Sequence, residues 1–254
     1  MKLNSLLELA LEASNEASKA ILKEKENLKI WQKKDLSPLS SADVLANELI
    51  SEILGKSDIK ICSEEEPLNY ELRKNLKRFW LVDPLDGTKG FIKGSDEYCI
   101  LIALIEEQRP ILALIQKPST GEVFYAHKDS PVYKNDKILQ KDEAKFQKNK
   151  NKALVSVHHP NAKNQDFLDK NSLSTLKISS ALKFCSLLEA EAGLYLRFES
   201  LNSWDIAAGD FLLNQNEGLM CKLDKSLLEY NKESFLCPSF IALAKKEYLK
   251  DIKF

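Results

Sequence analysis

Two carboxylates and a hydroxyl lie close together in the run Leu81-Val82-Asp83-Pro84-Leu85-Asp86-Gly87-Thr88. The apolar residues 79–82 before them predict a short buried strand, which Pro84 and Gly87 bring to an end. Carboxylates that converge at a strand end repel one another unless a cation neutralises them, and hard oxygen donors of this kind suit Mg²⁺. Gly87 permits a sharp bend, and Thr88 follows with its hydroxyl at a helix start. An isolated Asp-Pro or Asp-Gly is ordinarily a surface turn with a helix cap. So many special residues packed directly behind a strand weigh against that bland reading.

Other oxygen donors stand at similar positions. Glu64, Glu65 and Glu66 follow a short apolar strand at 59–62. Such a run is usually a solvated acidic loop, but Glu64 falls beside Asp83 if the two strands are neighbours. Asp43 sits in the first turn of a helix predicted over 44–54, with Ser40 or Ser41 as its cap, and capping is the default role for that aspartate. Trp204-Asp205 opens a further helix over 206–215.

The rest of the chain supplies elements to hold these groups. With 254 residues it can bury a large core. Hydrophobic content of 44% and charged content of 30% are those of a water-soluble globular chain. A net charge of −1 provides no global field for nucleic acid or an anionic membrane, so an anionic ligand needs a local basic pocket or a metal. No apolar run has bilayer-spanning length, and Met1-Lys2-Leu3-Asn4 begins no signal peptide. Five scattered cysteines without a CxxC pair point to a reducing, cytoplasmic setting, not to disulfides or zinc.

Helical spacing over 4–27 predicts an amphipathic first helix, and a strand follows at 28–31. Residues 68–78 read as a polar connection, 91–97 as a loop, and 98–105 with 110–116 as an apolar hairpin followed by a strand at 123–126. The seven lysines at 134, 137, 141, 145, 148, 150 and 152 read as a solvated linker. Beyond it, strands at 154–157, 176–178, 194–198, 219–223 and 240–244 alternate with helices over 165–170, from Ser179-Ser180 through Leu188, and 206–215. This predicts a layered α/β architecture. The expected division is an N-terminal half, 1–140, and a C-terminal half, 153–254, forming one continuous catalytic unit.

Asp83-Pro84-Leu85-Asp86-Gly87-Thr88, with Glu64-Glu65 upstream and Trp204-Asp205-Ile206-Ala207-Ala208-Gly209 downstream, resembles the three signatures of the inositol monophosphatase superfamily, in order and over most of the chain. Within it the sequence is similar to the CysQ-type 3′(2′),5′-bisphosphate nucleotidase branch. That narrower resemblance rests on Ser37-Pro38, Lys89, Phe91-Ile92-Lys93, Ser179-Ser180-Ala181-Leu182-Lys183-Phe184-Cys185, Leu194-Tyr195-Leu196-Arg197-Phe198 and Glu233-Ser234-Phe235-Leu236. Departures are Gly90, where relatives often carry an acidic residue, Ser40-Ser41-Ala42-Asp43 in place of a threonine-containing version, and Asn216-Glu217-Gly218.

The resemblance implies an α-β-α-β-α sandwich with a site between the halves. It also implies Mg²⁺-dependent release of the 3′-phosphate from adenosine 3′,5′-bisphosphate by direct attack of a metal-activated water, the sulfated nucleotide being a second substrate. Two or three Mg²⁺ ions and inhibition by Li⁺ and Ca²⁺ belong to the same expectation. By resemblance, Glu64, Asp83 and the Leu85 carbonyl hold one ion, and Asp83, Asp86 and Asp205 a second. Thr88 orients the water, with Asp43 or Glu65 accepting its proton. Gly87, Thr88, His159, Ser180, Lys183, Arg197 and Asp205 contact the nucleotide, Ser180 and Lys183 gripping the 5′-phosphate. The expected partner is a small nucleotide bisphosphate and not a nucleic acid. Peripheral contact with the inner membrane face and the choice between monomer and homodimer are left open.

Other classes are weaker. The haloacid-dehalogenase pattern spaces its aspartates two apart, with the first a nucleophile, whereas here the spacing is three. An inositol or sugar monophosphate phosphatase on the same scaffold is the enzymatic alternative. A non-catalytic nucleotide sensor sits poorly with the intact acidic set. Nucleic-acid binding through the lysines lacks interleaved aromatic residues.

Overall fold

The computed structural model describes residues 1–156 and 162–254, with side chains for all of these except Ala162 and Lys163. Helix α1 (Leu3–Glu24) buries Leu6, Ala10, Ala13, Ala17 and Ile21, a stripe at helical spacing. Strands β1 (Ile30–Gln32) and β2 (Pro38–Ser40) form a separate antiparallel hairpin that leads into α2 (Ser41–Gly55). After α2 come β3 (Ile61–Ser63), the short α3 (Tyr70–Arg73), β4 (Arg78–Asp86), α4 (Thr88–Ile92), β5 (Cys99–Glu106), β6 (Arg109–Lys117) and β7 (Glu122–His127). Next are β8 (Tyr133–Lys134), β9 (Lys137–Ile138) and α5 (Glu143–Asn149).

Strands β3 to β9 lie in sequence order in one seven-stranded sheet, parallel only between β3 and β4. Its central strands are buried on both faces, which is why they read as nearly continuous apolar runs. Trp80, Val82, Ile100, Ile102, Leu112 and Leu114 pack on α1 and α2. The alternate residues Phe79, Leu81, Leu101, Ala103, Ala113 and Ile115 belong to the second core.

That second core is shared with the C-terminal elements: β10 (Lys152–Val155), α6 (Ala162–Lys170), β11 (Ser174–Lys177), α7 (Leu182–Leu188), β12 (Leu194–Arg197), β13 (Leu201–Asn202), α8 (Ser203–Gln215), β14 (Leu219–Lys222), β15 (Leu236–Cys237) and β16 (Phe240–Leu243). A mixed sheet runs in the order β11-β10-β12-β16-β14. Helix α8 touches β4, β5 and β6 on one side and β14 and β16 on the other, so it lies between the sheets. Its Gly209 meets Phe184 of α7 so closely that a Cβ there would stand 2.3 Å from the ring. Phe167 and Leu168 of α6 face Leu154, Leu194 and Leu196 from beyond the second sheet. The expected α-β-α-β-α sandwich is the observed one.

Several expectations need correction. The strand expected over 79–82 continues through Pro84 to Asp86. This is possible because β4 pairs with β5 through a register shift between Asp83 and Asp86, so proline's missing N–H falls where the ladder is already interrupted. The loop expected over 91–97 begins as the last turn of α4. The polar connection over 68–78 contains α3, whose Arg73 is fully buried. The lysine-rich stretch is not a solvated linker. Lys134 lies 2.5 Å from both Glu122 and Glu189, Lys141 donates to the Ala244 carbonyl at 2.9 Å, and Phe146 packs edge-on against Tyr248. Lys134, Lys141 and Lys145 meet partners remote in sequence, which composition does not reveal.

Candidate active site

The parallel pairing of β3 with β4 sets the first part of the site. Ser63 stands opposite Val82, and the Glu64 N–H donates to the Val82 carbonyl at 3.0 Å, so Glu64, just past β3, comes beside Asp83 of β4. Asp205 arrives from the start of α8, where one carboxylate oxygen accepts the Asn202 N–H at 3.0 Å and is thereby fixed. Oxygens of Glu64, Asp83 and Asp205 lie within 4.8 Å of one another. The predicted trio is therefore gathered from three elements far apart in the chain. Asp86 is placed differently. Its Oδ2 accepts the Ala181 N–H from the C-terminal half and faces Cys99 Sγ at 3.9 Å, outside that close group.

Gly87 makes the turn from β4 into α4 possible. Its φ is +101°, and a Cβ there would stand 2.8 Å from the Glu97 carbonyl and 3.3 Å from Ser180 Cβ. Thr88 Oγ1 then lies 2.8 Å from Asp43 Oδ1 and 3.0 Å from the Leu85 carbonyl. A hydroxyl has one proton to give, and the shorter contact is to the carboxylate. Asp43 also does the capping work expected of it, since Oδ2 accepts the Ser40 N–H at 2.8 Å. Glu65 lies nearby but is paired at 2.8 Å with Lys33.

A cavity of about 150 Å³ opens beside this cluster, lined by Asp86, Ser156, Ser180, Lys183, Arg197 and Asp205. Lys183 Nζ donates to the Ser180 carbonyl at 2.6 Å and the Ile178 carbonyl at 3.2 Å, which uses two of its three protons. The expectation of a helix start at Ser179-Ser180 does not hold. Ser180 is in the left-handed region at φ 56°, α7 begins at Leu182, the Ala181 N–H is spent on Asp86, and the Leu182 N–H lies 3.3 Å from Ser180 Oγ. Ser180 thus lines the cavity as a turn residue. His159 lies outside the described residues.

Residues 2–253 match the model of the inositol monophosphatase family. The chain belongs to this family. It is 35% identical over 219 residues to the 3′(2′),5′-bisphosphate nucleotidase CysQ of Shigella flexneri, covering 83% of this chain and 87% of that one. The crystal structure of CysQ from Bacteroides thetaiotaomicron, described as a bacterial member of the family, superposes with a TM-score of 0.83 at 28% identity, over 96% of this chain and 98% of that one. A staphylococcal inositol monophosphatase-1, solved as a LiCl-soaked inhibitory complex, shares the fold with a TM-score of 0.83 at 18% identity, over 99% and 95% of the two chains.

The family is metal-dependent, and the donor set here fits a divalent ion. The oxygens of Glu64, Asp83 and Asp205, within 4.8 Å of one another, are near enough for one ion to draw on all three. Burial first, and then Glu64, Asp86 and Asp205, push the Asp83 carboxyl well above the usual range. Burial, Asp86 and Glu64 do the same to Asp205. Asp86 is raised by burial, with the Ala181 N–H and Lys183 opposing. Such mutually destabilising carboxylates call for a cation. Burial also raises Asp43, against the hydrogen bonds from Ser40 and Thr88. On the basic side, burial lowers Lys183 to about 8 despite Asp86.

Sequence reasoning missed three parts of this neighbourhood. Ser156 lines the cavity from the end of β10, and Cys99 abuts Asp86, yet no local pattern marks either. Lys33 lies in the β1–β2 turn and reaches Glu64 and Glu65, a long-range pairing that no local pattern marks.

Proposed function

We propose that this chain is a 3′(2′),5′-bisphosphate nucleotidase that removes the 3′-phosphate of adenosine 3′,5′-bisphosphate, giving AMP and phosphate. The curated relatives named for that activity support it. The observation that carries the reading is the shared cavity: the acidic residues Asp86 and Asp205 and the basic residues Lys183 and Arg197 line the same space. One phosphate is to react beside the acidic residues while a second is held by the basic ones. A monophosphate phosphatase has no need for that second set, which disfavours an inositol or sugar phosphate as substrate.

Glu64, Asp83, the Leu85 carbonyl, Asp86 and Asp205 are the residues assigned to hold two or three Mg²⁺ ions. When bound, such ions supply the positive charge that offsets the phosphoryl oxygens and make a neighbouring water more acidic. Thr88 does the orienting. Having given its proton to Asp43, its oxygen presents lone pairs that accept a hydrogen bond from the attacking water. Asp43, which accepts from the Thr88 hydroxyl, is the better-placed proton acceptor; Glu65, raised by burial as Asp43 is, is held by Lys33. Lys183 and Arg197 hold the 5′-phosphate through charge-assisted hydrogen bonds. Ser180 and Gly87 shape the wall between the two phosphates, and His159 is assigned a nucleotide contact by resemblance alone.

The halves 1–140 and 153–254 act as one unit in this reading, because Ala181 of the second grips Asp86 of the first. A reducing cytoplasmic setting accords with five cysteines that are all free. Among the described residues no helix is long and apolar enough to cross a membrane. The deciding test compares Mg²⁺-dependent phosphate release from adenosine 3′,5′-bisphosphate and from inositol 1-phosphate. Faster release from the former is expected, and a clear preference for inositol 1-phosphate overturns the proposal. Li⁺ inhibition of the same reaction is expected.

A further inference from the structure

The β1–β2 hairpin is set apart from both sheets and carries exposed apolar side chains, Ile30, Trp31 and Leu36. Its turn closes through the Lys33 N–H on the Ser37 carbonyl at 2.8 Å and the Leu36 N–H on the Lys33 carbonyl at 3.0 Å, with Leu36 in the left-handed region at φ 68°. From that turn the Lys33 side chain reaches inward, only 20% exposed, and places its ammonium 2.7 Å from Glu64 Oε1 and 2.8 Å from Glu65 Oε1.

Glu64 therefore belongs to two groupings. It is one corner of the Glu64, Asp83 and Asp205 group, and it is also the closer partner of Lys33. A divalent ion drawing on Glu64 meets a positive charge already seated on that carboxylate. Like charges at such separations repel by energies that matter wherever water screens them poorly. A surface lysine paired with two carboxylates would count for little. This one is half-buried and reaches a carboxylate of the Glu64, Asp83 and Asp205 group.

We propose that Lys33 is a built-in competitor of the divalent ion: its ammonium neutralises Glu64 and Glu65, and metal loading must displace it from Glu64. The hairpin turn thus sets how tightly the acidic group takes its ion. Displacement leaves Glu65 as the partner on which Lys33 can remain, so the exchange does not strand the ammonium. This rests on the reading of Glu64 as a metal ligand.

The test is calorimetric titration of the full-length protein with Mg²⁺ alone, without nucleotide. Lys33→Met removes the competitor and is expected to bind Mg²⁺ roughly tenfold more tightly, the equivalent of about 1.4 kcal/mol. Lys33→Gln, which keeps a polar side chain, is expected to move the same way and serves if the methionine variant does not fold. Lys33→Arg and the exposed neighbour Lys34→Met are expected to stay within about twofold of the parent. Unchanged or weaker binding in both Lys33→Met and Lys33→Gln overturns the proposal. Glu64→Gln separates the two layers of the argument. Loss of binding there with no gain in the Lys33 variants defeats competition only, whereas unchanged binding in Glu64→Gln defeats the ligand assignment and the competition with it.

Discussion

Thr88 Oγ1 lies 2.8 Å from Asp43 Oδ1, joining the first helical residue after the aspartate turn to a helix-capping carboxylate far upstream. Thr88→Ala removes the group proposed to orient the attacking water, and a loss in kcat of about 10²–10⁴ is expected, the range for a positioned acid–base partner. Thr88→Ser keeps the hydroxyl and should retain most activity. Because the two residues act as a unit, Asp43→Asn combined with Thr88→Ala should cost little more than either change alone. Steady-state phosphate release at saturating Mg²⁺ checks this. Additive losses would mean that the two residues act separately.

The acidic group has a signature in stability. Asp83 and Asp205 are raised well above the usual carboxylate pKa by burial and by one another's neighbours. Between their unfolded and folded pKa values the folded state binds more protons, so the stability of the metal-free protein falls as pH rises through that window. Without divalent ions, melting is expected at a higher temperature in mildly acidic buffer than at neutral pH. Mg²⁺ should raise Tm more at neutral pH, where the carboxylates are charged and bind it best. Calorimetric melting with and without chelator at two pH values measures both effects. A Mg²⁺ stabilisation that does not depend on pH would contradict the assignment.

Gly87 has a conformational requirement that no other residue meets cheaply. At φ +101°, with the Glu97 carbonyl 2.8 Å from any Cβ, Gly87→Ala must strain its own backbone or push away the 97–98 backbone that leads into β5. A cost of about 1–3 kcal/mol is expected, seen as a fall in Tm of several degrees. Activity should fall further than stability alone explains, since Asp86 and Thr88 flank the turn. Thermal melting with kinetics on the folded fraction separates the two.

The layered fold was legible because its strands are buried on both faces and its first helix carries a clear stripe, as in 98–105, 110–116 and α1. The trio Glu64, Asp83 and Asp205 was legible for a different reason. Glu64 follows β3, Asp83 stands where the β4 ladder is interrupted and Asp205 lies in the first turn of α8, and the pairing of Ser63 with Val82 puts two of them side by side. What could not be read depends on partners remote in sequence. The lysine-rich stretch looked solvated because Glu189, Glu191 and Ala244, which bind its lysines, lie well downstream. Arg73 looked like part of a polar connection, although Asn231 and the Lys232 carbonyl bury it. Pro84 was read as a strand end because a register shift is invisible until β5 is in place.

Lys183 gives the proposal its sharpest pH dependence. Burial lowers its pKa to about 8, with Asp86 pulling the other way, so the side chain carries its charge below that pH and loses it above. A grip on the 5′-phosphate that depends on this ammonium is present below pH 8 and fades as pH rises through it. The KM for adenosine 3′,5′-bisphosphate is therefore expected to climb between pH 8 and 9.5, and that for adenosine 3′-monophosphate, which lacks the second phosphate, to stay level. Lys183→Met should raise the bisphosphate KM at pH 7 by about tenfold, the equivalent of roughly 1.4 kcal/mol, and abolish its rise at alkaline pH. The monophosphate KM should be unmoved in the same variant. If both substrates lose affinity equally, Lys183 supports the fold of the turn at Ser180, whose carbonyl it holds, and does not read the second phosphate.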